Sequence, residues 1–284
     1  MNTKKTTDIK QLKLIANSVR QDIIRMLVEA KSGHPAGSLG MADVFTALYF
    51  GVMNHDPKNP GWPDRDRLVL SNGHICPVLY AALAEAGDFP KNARLTLRKL
   101  GSPLPGHPHY GSLPGIENSS GPLGQGISQA VGMAIVGNRE KKPWQVFALL
   151  GDGEINEGQA WEAFLLAAKY KLDNLVAIID RNNIQIDGTS DDVLPLEPLV
   201  DKCRAFGWNV IELNGNDMQA LLGAFESAKN TKGKPTMVIA KTISGRGVSF
   251  MERKFGWHGK SPSKEEGENA LKELMEERRK LEAM

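Results

Sequence analysis

Apolar positions along the chain follow two different spacings. Between residues 12 and 30 they recur every three or four positions, which predicts an amphipathic helix. That helix should end at Ser32-Gly33-His34-Pro35, because glycine favours a helix end and proline prevents continuation. Short continuous apolar runs predict strands instead. The predicted strands occupy residues 67–70, 146–150, 175–179, 208–213 and 236–240.

Helical spacing occupies much of the chain outside these strands. The predicted helices lie at residues 40–51, 77–86, 91–100, 123–138, 158–170, 218–229 and 265–281. Strands that alternate with helices predict an α/β fold, in which a mostly parallel sheet carries helices on both faces. The 284 residues fit one large domain over 1–284, with a C-terminal helical extension at about 264–284. That extension could pack on the domain or on a partner.

Charge and composition disfavour several classes of function. Lys plus Arg total 35 and Asp plus Glu total 33, so the net charge of +2 gives no electrostatic argument for binding nucleic acid or a membrane. No segment reaches the roughly 18 consecutive apolar residues of a membrane helix. Residues 1–10 lack an apolar core, so we expect no secretory signal. Cys76 and Cys203 are too few for a disulfide framework, and we expect reduced thiols in a cytoplasmic protein.

Polar groups follow two of the predicted strands. Gly151-Asp152-Gly153 follows the run 146–150, and Asn182 follows the run 175–179. A βαβ crossover lays both strands parallel, so Asp152 and Asn182 should meet at one edge of the sheet. Their oxygens suit Mg²⁺ that carries a diphosphate, and glycines beside bare amides let phosphate approach the backbone. The alternative is that these residues only form turns, but the two framing strands favour a metal and diphosphate site.

Several sequence blocks occur in the order found in one known family. The segment from Gly151-Asp152-Gly153 to Asn182 resembles the thiamine diphosphate signature, and the other blocks resemble the first domain of transketolase. The resemblance extends from about Leu12 to His258. The other blocks are Ser32-Gly33-His34-Pro35, Leu70-Ser71-Asn72-Gly73-His74, Pro105-Gly106-His107-Pro108, Gly121-Pro122-Leu123-Gly124-Gln125-Gly126 and Trp257-His258-Gly259.

The resemblance implies an enzyme made of two kinds of chain. Full-length transketolases carry three domains, and the resemblance covers only the first, the diphosphate-binding domain. It therefore implies the N-terminal subunit of a split transketolase, active only with a C-terminal subunit that carries the pyrimidine-binding domain. Two copies of each chain would surround a two-fold axis. The implied reaction moves a two-carbon ketol unit from a ketose phosphate to an aldose phosphate with thiamine diphosphate. The activating glutamate and the arginines that bind sugar phosphate would come from the partner.

The resemblance also implies roles for individual residues. Asp152, Asn182 and the backbone carbonyl of Ile184 would bind the metal, which would be Mg²⁺, with Ca²⁺ or Mn²⁺ as alternatives. Backbone groups of Gly121 and Leu123 would meet the aminopyrimidine end of the cofactor. The full implied cofactor-binding set is His74, Gly121, Leu123, Gly151, Asp152, Gly153, Glu157, Asn182, Ile186 and His258.

Four of the six histidines lie in glycine or proline turns. A single loop histidine is more often an ordinary solvated residue, but four such turns in one domain favour a shared site. Histidine suits sugar chemistry because it can hydrogen-bond hydroxyls and relay protons near neutral pH. By resemblance, His74 and His258 would lie near the diphosphate, His107 would contact the terminal hydroxyl of the donor, and His34 would line the substrate channel. These four form the predicted catalytic set.

The remaining candidates have competing structural explanations. Glu154, Glu157 and Glu162 begin a helix, where acidic side chains stabilise the positive end, so capping can explain one or two of them. By resemblance, Glu157 would lie near the cofactor and Glu162 would face the partner subunit. Asp180 can simply terminate its strand. The histidines interpreted as surface-loop residues without a family role are His55 and His109.

Other functions stay open on sequence alone. A deoxyxylulose-phosphate synthase-like or dihydroxyacetone synthase-like subunit, or a transketolase for a branched sugar phosphate, would share the cofactor site. A non-catalytic relative would have no reason to retain Asp152, Asn182 and the four turn histidines. Dinucleotide binding is disfavoured because residues 151–158 lack a third glycine at the required spacing. Departures from the family pattern beside His34 and after His74 leave the donor and acceptor sugars open.

Overall fold

The computed structural model describes residues 5–284, and this part of the chain contains one five-stranded sheet. The strands are β1 Arg67–Leu70, β2 Val146–Gly151, β3 Leu175–Asp180, β4 Asn209–Asn214 and β5 Thr236–Lys241. They lie in the order β1-β2-β3-β5-β4, and every neighbouring pair is parallel. The α/β prediction is confirmed, and each strand lies within one residue of its predicted range.

Helices cover both faces of this sheet. The α-helices are α1 Ile9–Ala30, α2 Pro35–Gly40, α3 Ala42–Thr46, α4 Cys76–Ala86, α5 Gly126–Arg139, α6 Gly158–Lys169, α7 Ser190–Val193, α8 Leu199–Ala205, α9 Met218–Asn230 and α10 Lys264–Ala283. A π-helix spans Ala47–Val52, and 3₁₀-helices span Gly73–Ile75, Lys91–Thr96, Gly153–Asn156 and Phe255–Trp257.

The two faces of the sheet bury separate hydrophobic clusters. Alternate side chains of β2 show the pattern: Phe147 and Leu149 pack with α1, α3 and α4, whereas Ala148 and Leu150 pack with α5 and α6. All four side chains are fully buried. A parallel sheet with both faces covered is expected to carry such continuous apolar strands. The carboxyl ends of the strands are therefore the edge where polar residues can gather.

Several predicted helices have different boundaries in the structure. The predicted helix 40–51 is instead α2, α3 and the π-helix, because Pro35 begins a helix at its preferred first-turn position. The predicted helix 91–100 is only a 3₁₀-helix that ends at Thr96, since Arg98 adopts a φ of 61°. The predicted helix 123–138 begins at Gly126, after Gly124 with a φ of 78°. The short helices α7 and α8 were not predicted.

The C-terminal helix α10 packs on α1 of the same chain. Asn17 Nδ2 donates to the Leu274 carbonyl at 2.9 Å, and an Arg278 nitrogen donates to Ser18 Oγ at 2.8 Å. Ser263 and Glu266 close a capping box at the start of α10. The sequence left open whether this helix packs on its own domain or on a partner, and in the structure it packs on its own domain. No helix within residues 5–284 has the length and apolar character needed to cross a membrane.

Candidate active site

A cleft of about 440 Å³ opens beyond the carboxyl ends of β1, β2 and β3. Open parallel sheets bind ligands at this edge. The four turn histidines and both predicted metal side chains line the cleft. Its lining residues are His34, Gly37, Asn72, His74, His107, Gly121, Leu123, Gly151, Asp152, Gly153, Glu154, Asp180, Asn182, Ile184, Gln185, Ile186, Asp187 and His258.

Asp152 lies directly after β2 and is 1% exposed. Gly151 pairs with Asp180 of β3, so the residues that follow both strands emerge side by side. The Asp152 carboxylate accepts the Gly153 N–H at 2.8 Å, the Asn183 N–H at 2.7 Å and an Arg181 nitrogen at 3.1 Å. Burial raises the pKa of Asp152, while these donors and the Arg181 charge oppose the shift.

Asn182 is oriented by hydrogen bonds at both ends of its amide. Its Nδ2 donates to Asp180 Oδ2 at 2.7 Å, and its Oδ1 accepts the Ile184 N–H at 3.0 Å. Asp180 is 1% exposed and also accepts the Thr242 hydroxyl. Burial raises the pKa of Asp180 to about 7. Asp180 therefore does more than terminate its strand. By accepting the hydrogen bond of Asn182 Nδ2, it turns the amide oxygen of Asn182 away from itself.

The amides around Asp152 are not bare. The Gly151 N–H donates to Glu154 Oε2 at 2.9 Å, and the Gly153 N–H donates to Asp152 Oδ1. The expectation of free amides at this turn is wrong, because neighbouring carboxylates satisfy them. Gly151 still leaves space beside its backbone for a ligand, since the nearest non-neighbouring heavy atom to a Cβ built on Gly151 lies 3.8 Å away.

Three of the histidines form an imidazole cluster, defined here as His34, His74 and His258. The ring centroids of His34 and His74 are 5.0 Å apart, those of His74 and His258 5.2 Å, and those of His34 and His258 5.5 Å. Burial lowers the pKa of all three, to about 4 for His34, and the neighbouring rings lower those of His34 and His74 further. The cluster is therefore neutral at pH 7 and can both donate and accept hydrogen bonds.

His107 also lines the cleft, beside Gly121. A Cβ built on Gly121 would lie 3.9 Å from the His107 ring. Burial lowers the His107 pKa first, and the Arg98 and His109 charges lower it further. His107 is also neutral at pH 7, but it makes no ring contact with the imidazole cluster among the described residues.

Some buried polar atoms of the cleft have no partner within the described chain. They include His34 Nδ1, Asn72 Oδ1 and Gln185 Nε2. Buried polar groups are normally hydrogen-bonded, so these unpaired atoms are unusual. The sequence drew attention to His34 but to neither Asn72 nor Gln185 as a site residue.

The family model for the thiamine diphosphate binding domain of transketolase matches residues 11–278. The chain belongs to the transketolase family. It is 45% identical over 262 residues to a 6-deoxy-6-sulfo-D-fructose transketolase subunit of Clostridium sp. strain MSTE9, covering 92% of this chain and 95% of that protein. It is 42% identical over 274 residues to an apulose-4-phosphate transketolase subunit of Phocaeicola vulgatus, covering 96% of this chain and 97% of that protein.

Transketolases built from one long chain share the same fold over part of their length. The crystal structure of Campylobacter jejuni transketolase matches with a TM-score of 0.89 and 35% identity, over 96% of this chain and 43% of that one. Leishmania mexicana transketolase matches with a TM-score of 0.85 and 33% identity, over 96% and 45%. The chain thus spans less than half of these transketolases but nearly all of the separately encoded subunits.

Most, but not all, of the predicted site residues of this transketolase-family chain reach the cleft. Glu157 is exposed at the start of α6 and does not line it, although its side chain flanks Gly124. Glu162 is also exposed on α6. Ile186 lines the cleft and is 71% exposed. The surface-loop interpretation is wrong for His55, which is 4% exposed with its Nε2 2.9 Å from Asp88 Oδ1. His109 is exposed, as expected.

The main interactions that sequence reasoning missed hold the loops of the site. Arg181 contacts carboxylates of Asp152, Asp191 and Glu197. Glu154 is 2% exposed, and its carboxylate accepts the Gly124 and Gly151 N–H groups, both outside the predicted helix. Its only sequence signal was its position three residues after Gly151.

Proposed function

We propose that this chain is the diphosphate-domain subunit of a two-chain transketolase, which moves a two-carbon ketol unit from a ketose phosphate to an aldose phosphate. One observation carries the proposal. The polar groups that bind diphosphate and sugar by resemblance line a single cleft, in a chain that nearly matches the whole length of separately encoded transketolase subunits. One-chain transketolases need more than twice this length.

The residues at the carboxyl ends of β2 and β3 fit a divalent cation with a diphosphate. Asp152 offers a buried carboxylate, Asn182 offers an amide oxygen of fixed orientation, and Ile184 offers a backbone carbonyl beside them. A cation would take these oxygens together with phosphate oxygens and water, which suits Mg²⁺, with Ca²⁺ or Mn²⁺ as substitutes.

The remaining lining residues suit the organic part of the cofactor and the sugar. Gly121 and Leu123 would meet the aminopyrimidine end, Ile186 the thiazolium ring, and His74 and His258 the region near the diphosphate. Thiamine diphosphate, when bound, supplies the nucleophilic carbon that a ketose carbonyl requires for this chemistry. Glu157, at the rim of the cleft, is proposed to act near the cofactor only in the complete enzyme.

The neutral histidines would bind the sugar through hydrogen bonds to its hydroxyls. His34 and the other rings of the imidazole cluster can accept a hydrogen bond from one hydroxyl and donate one to another without carrying charge into the cleft. His107, which lines the same cleft, would contact the terminal hydroxyl of the donor. Together these rings orient the sugar and exclude water from the carbon that reacts.

The complete enzyme is proposed to need a C-terminal subunit with a pyrimidine-binding domain. That partner would supply the activating glutamate and the arginines that bind sugar phosphate, and Glu162 would face it. Two copies of each chain would form the assembly. We also propose a cytoplasmic location, since both cysteines are buried as free thiols.

A second candidate concerns the sugar rather than the reaction class. The related subunits are named for 6-deoxy-6-sulfo-D-fructose and apulose 4-phosphate, which are a modified and a branched sugar. Departures from the family pattern next to His34 lie beside the channel for the sugar, so a branched or modified ketose is the alternative donor. Product analysis with both kinds of sugar separates these candidates.

The proposal is tested by purifying the chain from its native host together with whatever binds it. We expect a co-purified chain with a pyrimidine-binding domain. We also expect ketol transfer with thiamine diphosphate and Mg²⁺ only when both chains are present. Full transfer activity from the isolated chain would overturn the two-chain assignment. Stabilisation by NAD instead of thiamine diphosphate would overturn the cofactor assignment.

A further inference from the structure

Glu154 joins three separate segments at the floor of the cleft, which it helps to line. Its Oε1 accepts the Gly124 N–H at 2.8 Å and the Ser71 hydroxyl, and its Oε2 accepts the Gly151 N–H at 2.9 Å. Ser71 Oγ in turn accepts the Gly126 N–H at 3.0 Å. We call Glu154, Ser71, Gly124, Gly126 and Gly151 the Glu154 cluster. It connects the end of β1, the end of β2 and the loop before α5.

The segments of the Glu154 cluster pack in close contact. A Cβ built on Gly126 would lie 2.6 Å from Ser71 Cα, so the loop backbone packs directly on the end of β1. Gly124 has a φ of 78°, which glycine adopts without strain. Glu154 is 2% exposed, so its carboxylate is satisfied by these donors rather than by bulk water.

The two sides of the cluster are held in different ways. On one side, the diphosphate edge is fixed by strand pairing, because Gly151 is in register with Asp180 of β3. On the other side, both Gly124 and Gly126 donate their amides to side chains of the cluster. Loss of the Glu154 carboxylate should therefore release the loop at 121–126 while the strand edge stays in place.

We propose that Glu154 is a positioning residue that sets the distance between the diphosphate edge and the loop that meets the aminopyrimidine. This inference rests on the proposed function, since it assigns the two ends of thiamine diphosphate to those two segments. Glu154 acts through the loop backbone and is not a catalytic residue. Its effect should be confined to ligands long enough to reach both segments.

The test compares two ligands on the two-chain complex, each titrated with Mg²⁺ by calorimetry. Thiamine diphosphate spans both segments, whereas inorganic pyrophosphate occupies only the diphosphate edge. For Glu154→Gln we expect the Kd of thiamine diphosphate to rise at least tenfold and that of pyrophosphate to change less than threefold. A general structural role would weaken both ligands equally.

Asp66 provides the matched control, because it is a buried carboxylate that joins loops at the opposite edge of the sheet. It is 3% exposed and accepts the Asn54 and Gln145 N–H groups, each at 2.7 Å. Asp66→Asn should lower stability without changing the ratio of the two Kd values. If Glu154→Gln does not fold, Ser71→Ala decides, with an expected threefold or larger loss for thiamine diphosphate alone.

The outcomes separate this inference from the proposed function. Equal weakening of both ligands, or unchanged thiamine diphosphate affinity in a folded variant, overturns the positioning role of Glu154. Absence of binding of both ligands to the unsubstituted complex overturns the proposed function instead.

Discussion

An Arg181 nitrogen lies 3.1 Å from Asp152 Oδ2, so the carboxylate proposed to bind the metal is paired with a guanidinium in the free chain. The same Arg181 contacts Asp191 Oδ1 at 2.6 Å and Glu197 Oε1 at 3.3 Å. Arg181 therefore compensates the buried negative charge of Asp152. It also holds the segment that follows β3 in place through Asp191 and Glu197. Because a bound cation would provide a second positive charge at Asp152, metal and arginine should partly substitute for each other.

This relationship predicts how Arg181→Gln changes stability. Removal of one partner leaves the Asp152 charge buried, which should lower the free energy of unfolding by about 3 kcal/mol in the metal-free chain. Mg²⁺ with thiamine diphosphate should recover more stability in the variant than in the unsubstituted protein. Denaturant unfolding with and without these ligands measures both effects. Arg204→Gln removes an exposed ion pair with Asp201 and should cost less than about 0.5 kcal/mol.

Asp152→Asn tests the metal site itself. The substitution removes the proposed carboxylate ligand, so the Mg²⁺-dependent affinity for thiamine diphosphate should fall by roughly two orders of magnitude, since ligand charge governs such hard-cation sites. Titration of the two-chain complex at several Mg²⁺ concentrations measures this loss. Asp187 lines the same cleft but is exposed, so Asp187→Asn should bind almost normally. Comparable losses in both variants would contradict a specific role for Asp152.

His107→Ala should separate turnover from cofactor binding. His107 makes no ring contact with the imidazole cluster among the described residues. Loss of a hydrogen bond to the sugar should lower kcat by about 10²-fold while thiamine diphosphate affinity stays nearly unchanged. Steady-state kinetics and a cofactor titration on the same preparation test this. His109→Ala, two residues away and exposed, should behave normally, and normal turnover for His107→Ala would remove that residue from the site.

The fold was predictable where a single property of the sequence decided the structure. Continuous apolar runs located the strands because both sheet faces are buried, as at Phe147 and Ala148. The failed helix at 91–100 depended on a tertiary effect, since Leu97 is fully buried and Arg98 adopts a left-handed backbone conformation. No spacing of apolar residues reveals such a turn.

The site shows the same division between local and distant causes. The meeting of Asp152 and Asn182 at one edge followed from the topology of parallel strands, and the structure places both at that edge. The interactions of Glu154 and Arg181 were missed because their partners are distant in sequence or have ordinary sequence contexts. Ser71 lies 83 residues before Glu154, so their contact exists only after β1 and β2 have paired.

The imidazole cluster makes stability sensitive to acid. The pKa of His34 is lowered to about 4 by burial first, and then by the charges of His258, Arg98 and His107, with the His74 ring also in contact. In the unfolded chain, His34 binds a proton with a pKa near the ordinary value of 6.5. In the folded chain, the same side chain is protonated only as the pH falls to about 4. His34 therefore contributes stability that is present above pH 6.5 and is lost as the pH falls towards 4.

His34→Gln removes this titration while it keeps a polar side chain in the cleft. Between about pH 7.5 and about pH 5, we expect the unsubstituted chain to lose about 1 kcal/mol more unfolding free energy than the variant, after allowance for partial solvent screening. Denaturant unfolding of the cofactor-free chain at both pH values measures the difference. His109→Gln is the control, because this exposed side chain lies outside the cluster and should leave the pH dependence unchanged. Equal pH dependence in the unsubstituted chain and in His34→Gln would mean that His34 binds its proton as readily in the folded protein as in the unfolded chain.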